Sequence, residues 1–406
     1  MQKEIIPKTQ AQKKKLDKSF SLKEFDAPLL TAAYFGFTPI ETPRIEKEDI
    51  AKQKTIKDPL ADHPTTKLHF PFVFDVIEKA AILRTYVDWK WESLPPPILV
   101  AFKKPFPGGD HKKSTDYSLG LEILGLTNSS AEALLIRTAL SILTDEGFKN
   151  LSITLNSLGD KESISDFEKM IGTFVRKNMN NFSAEMRKAV KKDIFEIVRS
   201  EETKNEKLPG ETPKSMSFLS ESSRNHFKEV VEYIESFDIP YSINPKLIGS
   251  PTFCSHTVFE IRGGEYGDKI LAQGYHYSRL AKKIGFKKEI PAIGATISFK
   301  KKEKGILTKG IPKIKFYMIQ LSFTAKIKTL KALECLRKAH IFVAHSLAKD
   351  KLQSQLTSAE NMKLPYMLLI GQKEAIEECV VVRDADTRVQ ESVHLKDLVQ
   401  YLKKLK

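Results

Sequence analysis

Apolar residues recur at helical or alternating intervals along most of the chain. Leu22, Phe25, Leu29, Leu30 and Ala33 predict a helix from Ser21 with one apolar face. FGFTPIETPRIE (35–46) predicts a strand that stops at Pro43. PPPILVAFKKPFP (95–107) holds a short strand framed by prolines, which strand ends tolerate, and YSLGLEILG (117–125) a second. The basic stretch GGDHKKSTD (108–116) joins them as an antiparallel hairpin. Ser129 and Glu132 resemble a capping box opening a helix that carries Leu134, Leu135, Thr138, Ile142 and Leu143 on one side. LSITLNS (151–157) alternates as a half-buried strand does.

Residues 160–238 are helical, charged and interrupted by the polar loop 200–215, the pattern of an inserted helical subdomain. Strand patterns return at 257–264, 269–277 and 290–299, and the lysine-rich linker 300–315 marks a boundary. Beyond it, strand 315–321, helix 325–338, strand 340–346, helix 349–363 and strand 366–371 alternate. Strands at 378–386 and 388–395 and a last helix follow. This order predicts a compact α/β module with a mixed sheet. The domain plan is a basic, partly disordered arm at 1–20, a core at 21–305 with its insertion at about 160–238, and the module at 314–406.

Composition narrows the function classes. Sixty-six Lys and Arg against 51 Asp and Glu give the 406-residue chain a net charge of +15, which favours polyanionic partners. No apolar run of about 18 residues occurs, so no membrane span is expected. The basic opening lacks the apolar stretch of a secretory signal, and three separated cysteines suit a reducing compartment; together these predict a cytoplasmic location. Neither GxxxxGK[ST] nor a strand-linked GxGxxG is present. The nine histidines do not fall at metal spacing; His256 and Glu260 share a predicted strand face without a third ligand, so no metal site is expected. Cys254 beside His256 reads as an ordinary buried cysteine and not as a nucleophile pair.

In order along the chain, FGFTPIETPRIE with Pro43, YSLGLEILG with Glu122 and Gly125, LNSLGD (155–160), the segment 220–248, TVFE (257–260), PAIGATISF (291–299) and the tail 356–387 resemble class II aminoacyl-tRNA synthetases, the histidyl branch in particular. The resemblance covers about residues 20–406 and implies an α+β fold. That fold is an antiparallel sheet core with an inserted helical subdomain and a C-terminal α/β anticodon-binding-like domain. It also implies a homodimer, tRNA as partner, and a two-step reaction in which ATP, with Mg, and histidine form an adenylate before transfer to tRNA.

The resemblance is broken where phosphate must be held. Motif 2 of the family supplies an Arg followed closely by a Glu; here FKKPFP (102–107) puts Lys103 or Lys104 at the Arg and Phe106 at the Glu. Motif 3 ends Gly-Leu-Glu-Arg in the family and Ser298-Phe299-Lys300-Lys301 here. The histidyl-specific Arg-Gly-Leu is replaced within Gly249–Cys254, the Gly-Gly-Arg-Tyr-Asp-Gly loop becomes 274–279, and the Arg-Pro-Glu-Gly-Thr run has no counterpart around 69–76. Arg holds phosphate oxygens bidentately and Lys does not. The site residues expected from the resemblance are Glu122, Lys104 and Lys301 as degenerate catalytic positions and Lys103, Lys104 and Lys301 for nucleotide. Lys300, Lys302, Lys309, Lys313 and Arg383 are the expected RNA contacts. The expected function is RNA binding with histidine adenylation lost or strongly reduced. The alternatives are a divergent, working histidine–tRNA ligase and a synthetase-like regulatory subunit of histidine biosynthesis. Read for itself, Glu122 is also consistent with a strand-end surface acid.

Overall fold

The structure is a computed structural model that describes residues 22–56, 76–104, 107, 117–199, 211–264, 269–300, 307–310 and 313–405. The 1–20 arm and the hairpin loop 108–116 lie outside the described residues. In chain order the first ten strands are β1 (Glu24–Phe25), β2 (Thr38–Pro39), β3 (Ile98–Lys104), β4 (Tyr117–Leu124), β5 (Ser152–Ser157), β6 (Tyr241–Ile243), β7 (Ser255–Gly263), β8 (Lys269–His276), β9 (Ala292–Phe299) and β10 (Thr308–Lys309). The helices among them are α1 (Ala27–Tyr34), α2 (Lys47–Thr55), α3 (Val76–Asp88), α4 (Ser129–Asp145), α5 (Lys161–Asn178), α6 (Ala184–Lys192), α7 (Glu196–Arg199), α8 (Glu221–Glu235) and α9 (Leu280–Lys283). The tail runs β11 (Phe316–Gln320), α10 (Phe323–Lys338), β12 (Val343–His345), α11 (Leu352–Met362), β13 (Tyr366–Ile370), α12 (Gln372–Ile376), β14 (Cys379–Asp384), β15 (Gln390–His394) and α13 (Leu398–Lys404).

Alternation within the strands, combined with register, gives the larger sheet two chemically different faces. Its order is β2-β3-β4-β9-β8-β7-β5-β6, antiparallel except for the parallel edge pairs β2·β3 and β5·β6. One cross-strand row reads Leu119, Ile297, Ala272, Ile261 and Ile153, all buried. These side chains, with those of α4 and α8, form the core behind the sheet. The next row, on the opposite face, reads Phe102, Gly120, Thr296, Gln273, Glu260 and Thr154. The row beside it holds Glu122, Gly294, Tyr275, Val258 and Asn156. The front of the sheet is therefore polar at its centre.

Several local expectations are revised. Pro28 occupies the first turn of α1, so the helix starts at Ala27 and Phe25 instead pairs with Thr308 in a two-stranded ribbon. The strand predicted within 35–46 is short: Thr38–Pro39 alone pairs with β3. The N-cap of α4 is Asn128, whose side chain accepts from the Ala131 amide at 3.0 Å. Ser129 donates to Glu229 at 2.5 Å and Glu132 turns to two histidines, so the capping box predicted there does not form.

The tail forms a five-stranded sheet, β12-β11-β13-β14-β15, parallel around β11 and antiparallel from β13 onward, the mixed sheet its pattern predicted. Helix α10 packs against α4 and α1. At that junction Arg337 donates to Asp145 (2.6 Å) and to Glu334 (2.8 and 3.0 Å), while Glu334 also accepts from Ser141 (2.8 Å) and Asp145 from Thr31 (2.7 Å). Burial alone raises the Glu334 carboxyl, but the Arg337 hydrogen bond and the charges of Arg137 and Arg337 hold it below the usual glutamate value.

Candidate active site

On the polar front of the sheet a tightly filled recess, with no room for a water molecule, is lined by Glu78, Lys79, Phe102, Lys104, Gly120, Glu122 and Thr296. Strand alternation delivers Phe102 and Lys104 from β3 and Gly120 and Glu122 from β4, while Thr296 comes from β9. The first turn of α3 brings Glu78 and Lys79 over them.

Charge in this recess is matched internally. Lys79 pairs with Glu122 and Lys104 with Glu78, giving two positive and two negative groups. Lys104 also donates to Thr296 at 3.3 Å. The second oxygen of Glu122 accepts from the Tyr277 hydroxyl at 2.7 Å, and burial together with the Glu122 charge pushes that phenol well up, so it stays protonated. The Lys79 amine lies 4.9 Å from the centre of the Tyr277 ring. Glu122 is 1 % exposed, which corrects its reading as a strand-end surface acid: it is the buried acceptor at the middle of the site. Two glycines make the arrangement possible. A Cβ at Gly294 would collide with the Glu122 carboxylate, and one at Gly120 with the Phe102 ring.

Beside the recess, Glu260 is fully buried and accepts from Arg262 (3.0 Å) and Gln273 (2.9 Å). No guanidinium lines the recess among the described residues. Arg84 is turned to Asp49 and Asp88, and Arg279 donates to the Pro251 carbonyl at 3.0 Å. An ATP with Mg fits this set poorly, since each lining amine and each lining carboxylate already has a counter-charge.

Of the residues expected from the sequence, Glu122 and Lys104 meet in the recess. Lys103 does not: alternation points it to the other side, where it pairs with Asp26 (3.0 Å) and lies 5.9 Å from the Tyr117 ring centre. Lys301 and Lys302 lie outside the described residues. Lys300 and Lys313 are exposed, Lys309 ends β10, and Arg383 is half-buried on β14 opposite Met367 and Gln390. Sequence reasoning missed Glu78 and Lys79; the available signal was an adjacent acid–base pair inside the apolar helix pattern VIEKAAIL (76–83). It also missed that the fold gathers His226, His256 and His276, whose rings lie 5.0 to 6.3 Å apart. A bulge between Ser255 and Val258 breaks the alternation that was to put His256 on one face with Glu260.

A sheet with an apolar back and a polar, charge-bearing front, followed by a separate α/β module, is the α+β fold that the resemblance to class II aminoacyl-tRNA synthetases implied. Residues 317–405 match the family model described as an anticodon binding domain. Histidine–tRNA ligase of Bacillus licheniformis is 25 % identical over 295 residues, 71 % of this chain and 69 % of its own length. That of Listeria innocua is 26 % identical over 340 residues, 80 % of this chain and 79 % of its own. The crystal structure of apo histidyl-tRNA synthetase from S. aureus shares the fold over 99 % of this chain and 98 % of its own, with a TM-score of 0.50 at 19 % identity. The chain is a histidyl-tRNA-synthetase-like homologue with an anticodon-binding domain. Among the described residues no helix is long and apolar enough to cross a membrane.

Proposed function

We propose that this chain binds tRNA or a related RNA through its anticodon-binding module and has lost histidine adenylation or retains only a remnant of it. The observation that carries the reading is the self-neutralised recess. Lys79 and Lys104 are the cations there, and both are committed to carboxylates of the same chain. Adenylate formation needs preorganised positive charge around the α-phosphate, and one missing donor of that kind costs about 10²–10³ in rate. Losses at motif 2, motif 3 and the histidyl-specific arginine together amount to roughly 10⁴ or more, even with strong non-additivity. The module, by contrast, keeps its strands, its Gly371 and its Asp384 turn, where the carboxylate accepts from the Asp386 and Thr387 amides at 2.9 and 2.8 Å.

Histidine-dependent ATP–pyrophosphate exchange is the direct test, run beside tRNA binding by filter retention or fluorescence anisotropy. Micromolar RNA binding with exchange at least ~10⁴-fold below a working synthetase is the expected outcome. Exchange at an ordinary rate overturns the inactive reading. If that exchange is lost in Lys104→Ala, the working-ligase alternative takes its place. The regulatory-subunit alternative ranks last, because residues 317–405 match an anticodon binding domain and the subunit named in that resemblance is expected to lack one. A homodimer, as the resemblance implies, belongs to the same proposal and is checked by sedimentation.

A further inference from the structure

Behind the sheet, on the face opposite the recess, four elements contribute to one polar cluster inside an otherwise apolar core. Glu132 comes from the first turn of α4, His226 from α8, His276 from the end of β8 and His256 from β7. Glu132 Oε1 is shared by His226 Nε2 at 2.5 Å and by His276 Nε2. Ligand atoms of Glu132, His226 and His276 all lie within 4.8 Å of one another. The His256 ring centre is 5.0 Å from that of His226 and 5.4 Å from that of His276. Glu132 and His276 are fully buried.

Hydrogen bonding alone leaves this cluster incomplete. The second Glu132 oxygen, His276 Nδ1 and His256 Nδ1 are buried atoms without a hydrogen-bond partner. Each such atom costs about 1–3 kcal/mol in a native interior. A carboxylate oxygen with no donor at the centre of three imidazoles is a ligand set looking for a cation.

We propose that Glu132, His226 and His276, joined by His256, hold one divalent transition-metal ion, zinc by preference. Imidazole nitrogens with one carboxylate suit Zn²⁺ and its neighbours and disfavour Mg²⁺ and Ca²⁺, which take oxygen ligands. Zn–N and Zn–O bonds of about 2.0–2.1 Å separate tetrahedral ligands by roughly 3.3 Å, so the two shared hydrogen bonds open by about 1 Å when the ion enters. The ion takes the place of the two Nε2 protons at Glu132, which move to Nδ1 of their rings, binds Glu132 through one oxygen, and gives His256 a partner through Nδ1, making three imidazoles and one carboxylate oxygen in all. Asp160 and Glu229, whose charges reach His256 and His226, balance the added positive charge. Because the ligands come from α4, α8, β7 and β8, the ion ties the sheet to both helices behind it, a structural staple and not a reaction centre. Entry is from the side of His226, whose side chain is 19 % exposed against 1 % for His276 and 0 % for Glu132.

The full chain, stripped with a chelator and titrated with Zn²⁺, is expected to bind one equivalent and to unfold at a higher temperature, while Mg²⁺ at the same concentration gives no shift. Co²⁺ in place of Zn²⁺ is expected to show the intense visible bands of a four-coordinate ion. His226→Gln is expected to weaken Zn²⁺ binding more than about tenfold. X-ray absorption at the zinc edge of the unaltered chain supplies a readout independent of any variant: two or more imidazoles support the site. No saturable equivalent, equal affinity in His226→Gln, an equal shift with Mg²⁺, or fewer than two imidazoles overturns it.

Discussion

At the residue scale the recess is a buried exchange of charges, and its energetics follow from burial. Lys79 and Glu122 are 7 % and 2 % exposed at their side chains, so water screens neither. Removing one partner of such a pair leaves an uncompensated charge and typically costs about 3–5 kcal/mol, whereas replacing both by apolar groups is often neutral or stabilising. Lys79→Met is therefore expected to destabilise the chain by about 3–5 kcal/mol. Lys79→Met combined with Glu122→Leu is expected to recover most of that loss. Urea unfolding of the two variants checks this, and equal losses in both would show that Glu122 is held by Tyr277 and not by the lysine.

At the scale of elements, the joint between α10 and α4 carries a pH signature. The Glu334 carboxyl sits below the usual glutamate value of 4.5, so the folded state binds its proton less readily than the unfolded one. Its contribution is fully present above about pH 4.5 and is lost as pH falls through the depressed value. Stability measured against pH should drop on acidification below that point, and Glu334→Gln should flatten the slope while lowering stability near pH 7. An unchanged slope would place the acid sensitivity elsewhere. Much at this scale was legible in the sequence, because period is a local property. The tail's strands and helices, the β3·β4 pair and the Ser152–Ser157 strand all announce themselves by alternation or by the 3.6-residue repeat. What stayed hidden depends on partners distant in sequence. Glu132 reads as a capping acid until His226 and His276, 94 and 144 residues away, draw it aside. Lys103 and Lys104 read alike as a dipeptide, and only strand register sends one to the recess and the other to Asp26. Pro28 overrode a helical pattern that its neighbours supported.

For the whole molecule, a net charge of +15 predicts that RNA binding is strongly salt-dependent, since neutralising phosphates releases counterions. Each true phosphate contact is expected to steepen the log–log salt slope by about 0.7–0.9. Lys313→Ala and Arg383→Ala are each expected to reduce it by about that amount, read from affinity across a potassium chloride series; an unaltered slope would remove that residue from the interface. The two faces of the large sheet have a consequence of their own. Adjacent positions along β3, β4, β8 and β9 answer to different demands: those facing α4 and α8 build one core, while those facing forward line the recess and, through Val100, Phe102 and Tyr275, join a second. A change of chemistry in the recess is therefore coupled to stability, because its charged pair and the apolar residues beside it are themselves buried. On the proposed reading, installing arginines at a few forward-facing positions tests whether histidine adenylation rises when the recess carries unpaired positive charge.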